Sequence, residues 1–303
     1  MKDFVVVVVS SFVNFVRGCC EAVTHPGVFH ADDVLAAVLL RLVNPDIRFV
    51  RTRDTAAVAA AAIAFDVGEG IWDHHGSAAG THSDGTPACA VSRLWEAELA
   101  RVLLPTVAAR DYFWKNVIRP VAYQDNGQEL PGVSHPLSWI HFMNPTWNSD
   151  SNFDEAFEAA IDAATPIVVQ LLNQARAAGE AEAVLRSLPL DQRVVEIPSG
   201  LPGWVERLAT ERSKAQFVVF QGDEHTPYYA QCVPVNPESR FSKRTPFPEA
   251  WAGKRDAELT EASGILGGVF CHIGRFISGW KTKDAAIAAA EIAACGLEED
   301  EFF

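Results

Sequence analysis

Residues 71–76 read Ile-Trp-Asp-His-His-Gly. Asp73, His74 and His75 follow closely on the buried-looking stretch Ile63-Ala64-Phe65-Asp66. Imidazole and carboxylate side by side are costly to bury unless something binds them. A divalent cation is the usual solution, and a nitrogen-plus-oxygen donor set suits zinc, manganese or iron. Three other stretches carry the same donors: His25 to Asp33, then Asp66, then Asp125. His25, His30, Asp32, Asp66, His74 and Asp125 together offer three imidazoles and three carboxylates. That is enough for two adjacent divalent ions, which in such sites lie about 3.5–4 Å apart and clamp both oxygens of an in-line displacement. Asp66, at a strand end, is placed to bridge them, and water held between two such ions becomes hydroxide near neutral pH. His75, with Asp73 beside it, is left to face a substrate as hydrogen-bond or proton donor.

The elements around these residues set the frame. Val34, Leu35, Val38, Leu39 and Leu42 recur at helical spacing, with Asp32 or Asp33 as the expected cap and Asn44-Pro45 as the stop. Ile47 to Val50 reads as a strand, Thr55 to Ala62 as a short helix and Ile63 to Gly68 as a third strand ending in an acid and a glycine. Strands alternating with helices imply βαβ units and a parallel sheet. In such sheets ligands bind at the carboxyl ends of the strands. His25, Asp66 and the Asp73–His75 run all fall there.

Residues 89–123 read as helix and lead to Asp125-Asn126-Gly127, a turn signal. A Pro/Ser/Trp-rich loop spans residues 131–148, and a long helix follows from Phe153 with a kink expected at Pro166. Gly179 to Leu188 reads as a link to a second domain. Beyond it, strands are expected at 194–197, 217–220, 228–235, 269–272 and 276–279, then a helix over 284–294 capped by Thr282. The expected organisation is an extension over 1–18, an α/β metal-binding domain over 19–188 and a smaller mixed α/β domain over 189–303.

With 303 residues and 49% apolar content, the chain is long enough for a large core. Its formal charge of −14 argues against a surface built wholesale for duplex DNA. The six cysteines, Cys19, Cys20, Cys89, Cys232, Cys271 and Cys295, show no C-x-x-C spacing and read as reduced thiols. That makes a cytoplasmic location the expectation, with an organelle as the alternative. No stretch approaches the ~18 apolar residues of a membrane span. Phe4 to Val9 is apolar, but Asp3 stands where a signal peptide is basic, so an added strand or a non-native extension is the expected reading. Residues 240–283 hold eight Lys or Arg against four Asp or Glu, a local +4 that leaves −18 for the rest. His82, His135, His141 and His225 sit in no motif, and neither G-x-x-x-x-G-K-[ST], H-E-x-x-H nor G-x-S-x-G occurs.

Taken in order, these motifs resemble the MYG (melanocyte-proliferating-gene) exonuclease family of the DHH phosphoesterase superfamily. The resemblance rests on Thr24 to Asp33, Arg51 to Asp54, Asp66 to Gly68, Asp73 to His75 and Asp125 to Gly127. It continues through Asn144 to Trp147, Phe153 to Phe157, Phe247 to Trp251 and Phe270 to His272, with Thr282 beyond, and covers about residues 19–297. The chain departs from the pattern in its first 18 residues, in a short segment between Gly68 and Asp73, and in Gly76 to Gly80, where relatives tend to carry Gln first. The resemblance implies a DHH domain followed by a substrate-binding domain. It implies two divalent ions, manganese foremost, and 3′–5′ exonuclease activity on RNA or single-stranded DNA. It also implies Arg240 and His272 as substrate contacts. Two alternatives stand beside it: a pyrophosphatase or small-nucleotide phosphohydrolase using the same ions, and a metal-stabilised binding protein without turnover.

Overall fold

Strand β1 (Glu21–Thr24) runs parallel to β2 (Arg48–Arg51), in a register that sets Glu21 against Arg48 and Thr24 against Arg51. Helix α1 (Ala31–Val43) connects them. In the computed structural model, which describes residues 14–296 apart from 77–78, 134, 211 and 240–241, the chain divides between Glu180 and Ala181 into two units.

In the first unit α1 is the centre of the core. Val34, Leu35, Ala36, Ala37, Val38, Leu39 and Leu40 are all fully buried. Spacing alone suggests a one-faced helix, but the alanines make the other face apolar too, so the helix is enclosed. Its one basic residue, Arg41, reaches Glu158 at 2.8 Å and lies over the Phe49 ring. The expected cap is corrected: the N-cap position is His30, and Asp33 accepts its backbone N–H from the first turn at 3.0 Å. Asn44 ends the helix, and its Nδ2 donates to the carbonyls of Val16 and Cys19, both at 2.9 Å. A helical turn over 14–18 therefore belongs to this unit, with Val16 in its core. Residues 1–13, the rest of the expected extension, lie outside the described residues.

The expected third strand is much shorter than 63–68. Val23 donates to Ile63 O at 2.8 Å and Phe65 to Val23 O at 2.9 Å, but only isolated bridges form, Val23 to Ala64 and Phe65 to Trp72. Pairing stops because Asp66 takes a left-handed backbone, φ 55°. The helix expected over 89–123 is broken. Pro105 has no N–H and disfavours helical geometry at Leu104, which is extended. Thr106 restarts the chain as helix, its hydroxyl accepting from Ala109 N at 3.2 Å. Helix α2 (Arg119–Asp125) closes this run. Helix α3 (Phe153–Ser187) is continuous through Pro166 and also takes up the segment expected as a link, so the division between units falls inside it.

The second unit holds a five-stranded mixed sheet of β3 (Val194–Glu196), β4 (Phe217–Gln221), β5 (Tyr228–Cys232), β6 (Gly268–Cys271) and β7 (Ile277–Trp280), in the order β3-β4-β5-β7-β6. Only β3 and β4 are parallel. β5 stops short of Val235, since Pro234 cannot donate to a ladder. Helix α4 (Lys283–Cys295) starts on Thr282, which accepts from Ala285 N at 3.2 Å. It buries Ala286, Ala289, Ala290 and Ala293 in one core with Phe217, Phe247, Trp251 and Trp280. Both units are thus mixed α/β, one with a parallel pair and one with a mixed sheet. No helix among the described residues is long and apolar enough to cross a membrane.

Leu39 is fully buried in the central helix. Leu39→Ala should lower unfolding stability by about 2–5 kcal/mol through lost burial and the cavity left behind. Urea unfolding followed by circular dichroism measures this, and a loss well below 1 kcal/mol would contradict the central place given to α1.

Candidate metal centre

Each candidate ligand of the first unit arrives at the end of an element. β1 delivers His25, and the first turn of α1 carries Asp32 and Asp33 just behind His30. The shortened third strand delivers Asp66, the turn after it Asp73 to His75, and α2 ends on Asp125. The left-handed Asp66 and Glu69, both at φ 55°, hold strain of order 1–3 kcal/mol each, the kind that collects at functional sites. Gly68 lets the turn form: at φ 83° it adopts a conformation other residues resist, and a Cβ there would lie 2.4 Å from Val58 Cγ1.

The side chains converge. His25 Nε2 lies 3.0 Å from Asp33 Oδ2 and 3.2 Å from Asp66 Oδ2. His74 Nδ1 lies 3.3 Å from Asp66 Oδ1, and its Nε2 lies 2.9 Å from Asp125 Oδ2. Ligand atoms fall into three overlapping groups, each within 4.8 Å: His25, His30 and Asp66; His30, Asp32 and Asp125; and Asp66, Asp73, His74 and His75. Asp66 and His30 each belong to two of them.

Buried Asp66 Oδ1, His74 Nδ1, Asp125 Oδ2, Asp33 Oδ2 and Asp32 Oδ1 take part in no hydrogen bond. The first four lie within 3.3 Å of a facing group, yet the donors do not align with the acceptors. Atoms aimed at a common point between them behave this way. Buried polar atoms left like this are costly, and hard or borderline divalent cations are the groups that carboxylate and imidazole satisfy together. The donor set fits a metal.

Electrostatics follow from the same crowding. Burial disfavours a charged His25, but Asp33 and Asp66 outweigh it and push the imidazole up to about 10. Burial is likewise outweighed at His74, which Asp125 and Asp66 push up to about 9. Burial works against ionised Asp66 too, yet His25 and His74 hold it below the usual carboxylate range. Fully buried Asp32, ringed by Asp66, Asp125 and Asp33, is pushed up.

Asp73 and His75 are arranged differently. Asp73 Oδ1 accepts from His74 N at 2.7 Å and His75 N at 3.1 Å and faces His75 Nδ1 at 2.7 Å, while Oδ2 accepts from Glu69 N at 2.6 Å. That network assigns the Nδ1 proton of His75 to Asp73 and turns Nε2 outward, and the His75 side chain is 60% exposed. Asp73 thus braces the turn that carries His74 and His75.

Three contributors were not legible as site residues. Asp33 reads as a cap but faces His25. Asn144 grips the backbone of Phe29, Oδ1 accepting its N–H at 2.9 Å and Nδ2 donating to its carbonyl at 2.8 Å. Arg51 donates to Gly27 O at 2.8 Å and Phe153 O at 3.1 Å, with its guanidinium 4.6 Å from the Phe157 ring centre. The last two fix the loop from His25 to His30. Their signal in the sequence was only position within a motif. Arg240 lies outside the described residues. His272 belongs to the second unit, where it is exposed and its Nδ1 accepts from Gly274 N at 2.9 Å. His82 sits between Glu96 and Ser92, 2.7 Å from each. Ser92 is fully buried and donates to Cys89 O at 2.8 Å, so this string offers no accessible nucleophile.

Comparison with known proteins gives a consistent answer. No solved structure matches the chain. It is 31% identical to the MYG1 exonuclease of Homo sapiens, covering 88% of this chain and 84% of the relative. The MYG1 exonuclease of Mus musculus is 30% identical over 88% and 83%. The MYG1 protein of Saccharomyces cerevisiae is 28% identical over 89% and 94%. The family described as MYG1_exonuc, Uncharacterised protein family (UPF0160), matches over residues 21–92 and 109–294, stretches that include every candidate ligand, and the chain belongs to that family.

Proposed function

We propose that this protein is a metal-dependent phosphodiesterase of the DHH type, a 3′–5′ exonuclease acting on RNA or single-stranded DNA. The observation that carries this reading is the set of buried ligand atoms that face one another at 2.9–3.3 Å without hydrogen bonding. It agrees with the exonuclease name borne by the human and mouse relatives. His25, His30, Asp32, Asp66, His74 and Asp125 would hold two divalent ions, manganese foremost, with Asp66 shared. When bound, such ions supply Lewis-acid stabilisation of the phosphoryl oxygens and an activated water.

The chain's own residues do the rest. Asn144 and Arg51 hold the His25–His30 loop in place. Asp73 fixes the tautomer and direction of His75, whose outward Nε2 delivers a proton to the leaving oxygen. The basic run over 240–283, with Arg240 and His272 as its candidates, binds phosphate, for which a guanidinium fork is well shaped. The strongly negative total charge favours short single strands over duplex.

Asp66→Asn should cut manganese affinity at least ~100-fold, beyond the usual cost of losing an outer-shell partner, and abolish turnover. His75→Ala should keep the metal and slow turnover about 10²–10⁴-fold. Calorimetric manganese titration beside an activity assay reads both, and metal loss in His75→Ala would make His75 a ligand.

The general test is an activity panel in manganese with labelled RNA, single-stranded DNA, dinucleotides and pyrophosphate. Mononucleotide release from single strands is expected, and chelation should stop it. Pyrophosphate turnover without strand degradation would instead establish the small-substrate hydrolase. Arg240→Ala should raise KM for a short RNA and flatten its salt dependence by about 0.7 in logarithmic slope; an unchanged slope would remove Arg240 from the substrate contacts.

A further inference from the structure

Twelve consecutive residues, 138–149, carry no lysine, arginine, aspartate or glutamate in a chain of net −14. This loop presents two aromatic rings to solvent: Trp147 is 97% exposed and Phe142 79%. Leaving an indole so exposed forfeits its burial, about the largest any side chain offers. Trp147 makes no hydrogen bond or ring contact among the described residues, while Phe142 lies against the His141 ring at 3.7 Å.

The loop is not loosely held. Asn144 pins it by both amide atoms to the backbone of Phe29, which lies between His25 and His30. Thr146 Oγ1 meets Asn148 Oδ1 at 3.0 Å, Ser149 N donates to Thr146 O at 2.9 Å, and Ser149 Oγ meets Ser151 Oγ at 2.6 Å. These bonds order the segment on both sides of Trp147. Trp147 lies three residues from the Asn144 clamp, so its Cα is at most about 11 Å from that of Asn144. An uncharged, pre-ordered aromatic surface is thus tethered to the segment that carries two candidate ligands.

We infer that Trp147, assisted by Phe142, is a stacking platform for a nucleobase of the single strand whose phosphate is at the metal centre. This rests on the reading of the chain as a nuclease on single strands and adds how the strand is held. Every base has a π face, so such a platform tolerates sequence. It needs no positive charge, which suits a surface with no basic residue across the loop. Thr146, Asn148 and Ser149, which flank Trp147 in the chain, carry hydroxyls and an amide that can meet base edges.

The test uses the full chain and a 5′-fluorescein phosphorothioate octamer of deoxythymidine in manganese, read by anisotropy across a salt series. A matched octamer carries abasic sites at its two 3′-terminal positions. Trp147→Ala should weaken binding of the intact octamer by about 5- to 100-fold per base unstacked. The salt slope should not change, since no phosphate contact is lost. The abasic octamer should bind wild type and variant alike, Trp147→Phe should recover most of the affinity, and Phe142→Ala should show a smaller loss. The exposed ring predicts an unchanged melting temperature in every variant. Equal binding of the intact octamer by wild type and Trp147→Ala, with strand degradation intact, overturns the platform and leaves the nuclease reading standing. Equal loss on both octamers overturns it as well, because the ring would act through the loop and not through a base. A dimer in sedimentation that Trp147→Ala dissolves assigns the ring to a second copy and overturns it. If wild type neither binds nor degrades any single strand, the nuclease reading fails first and the platform with it.

Discussion

Asp32, Asp33, Asp66 and Asp73 are each at most 2% exposed and share one small region with four imidazoles. Taking several carboxylates out of water together is costly, and their mutual repulsion adds to the cost. Backbone N–H groups meet part of the demand: Ala90 donates to Asp32 at 3.3 Å, His30 to Asp33, and Glu69, His74 and His75 to Asp73. The positive end of α1 faces Asp32 and Asp33 in its first turn and helps further. Asp73 is satisfied by its backbone donors together with His75 Nδ1 at 2.7 Å. Asp32, Asp33, Asp66 and Asp125 are not: each keeps a buried oxygen without a hydrogen bond, a cost that a bound cation would relieve.

Much of the first unit can be understood as the scaffold this cluster requires. A helix enclosed by core on all sides cannot shift without opening cavities, so its first turn presents Asp32 and Asp33 at fixed positions. The left-handed backbone at Asp66 is sustained because its N–H bonds Trp72 O at 3.2 Å and the close approach of Gly68 to Val58 leaves the turn few alternatives. The loop from His25 to His30 is held by side chains from far along the sequence, Arg51 and Asn144. Strain and long-range clamps therefore appear at the same place, which is the pattern expected where geometry serves chemistry.

That pattern also explains which features could be read from residues alone. The donors announce themselves by type: two histidines beside an aspartate, and a histidine pair before two more acids, have few structural uses. The mixed α/β class follows from alternating strand and helix signals. What escaped depends on conformation or on distant partners. Ile63 to Gly68 looks like a full strand because nothing in its composition reveals that Asp66 will turn left-handed. Asp33 looks like a cap because its partner His25 is eight residues back across a loop. Asn144 sits in a loop rich in proline and tryptophan, and its amide finds Phe29 across a sequence separation of 115. The break before Thr106 follows from Pro105, whose missing N–H is explicit in the sequence.

The charge distribution raises a problem that the aromatic loop addresses. A phosphodiester chain approaching buried carboxylates meets repulsion unless cations stand between them, and with ions in place the attraction is confined to the few ångströms around the metals. Basic residues can extend that hold along the backbone, but their contribution weakens as salt rises. Stacking on an exposed ring depends on surface and polarisability, so it survives physiological salt and acts on the base rather than the phosphate. In the proposed nuclease, placing such rings on a neutral segment, and tying that segment through Asn144 to the backbone between two candidate ligands, would join a salt-insensitive grip to a site whose own charge otherwise pushes the polymer away.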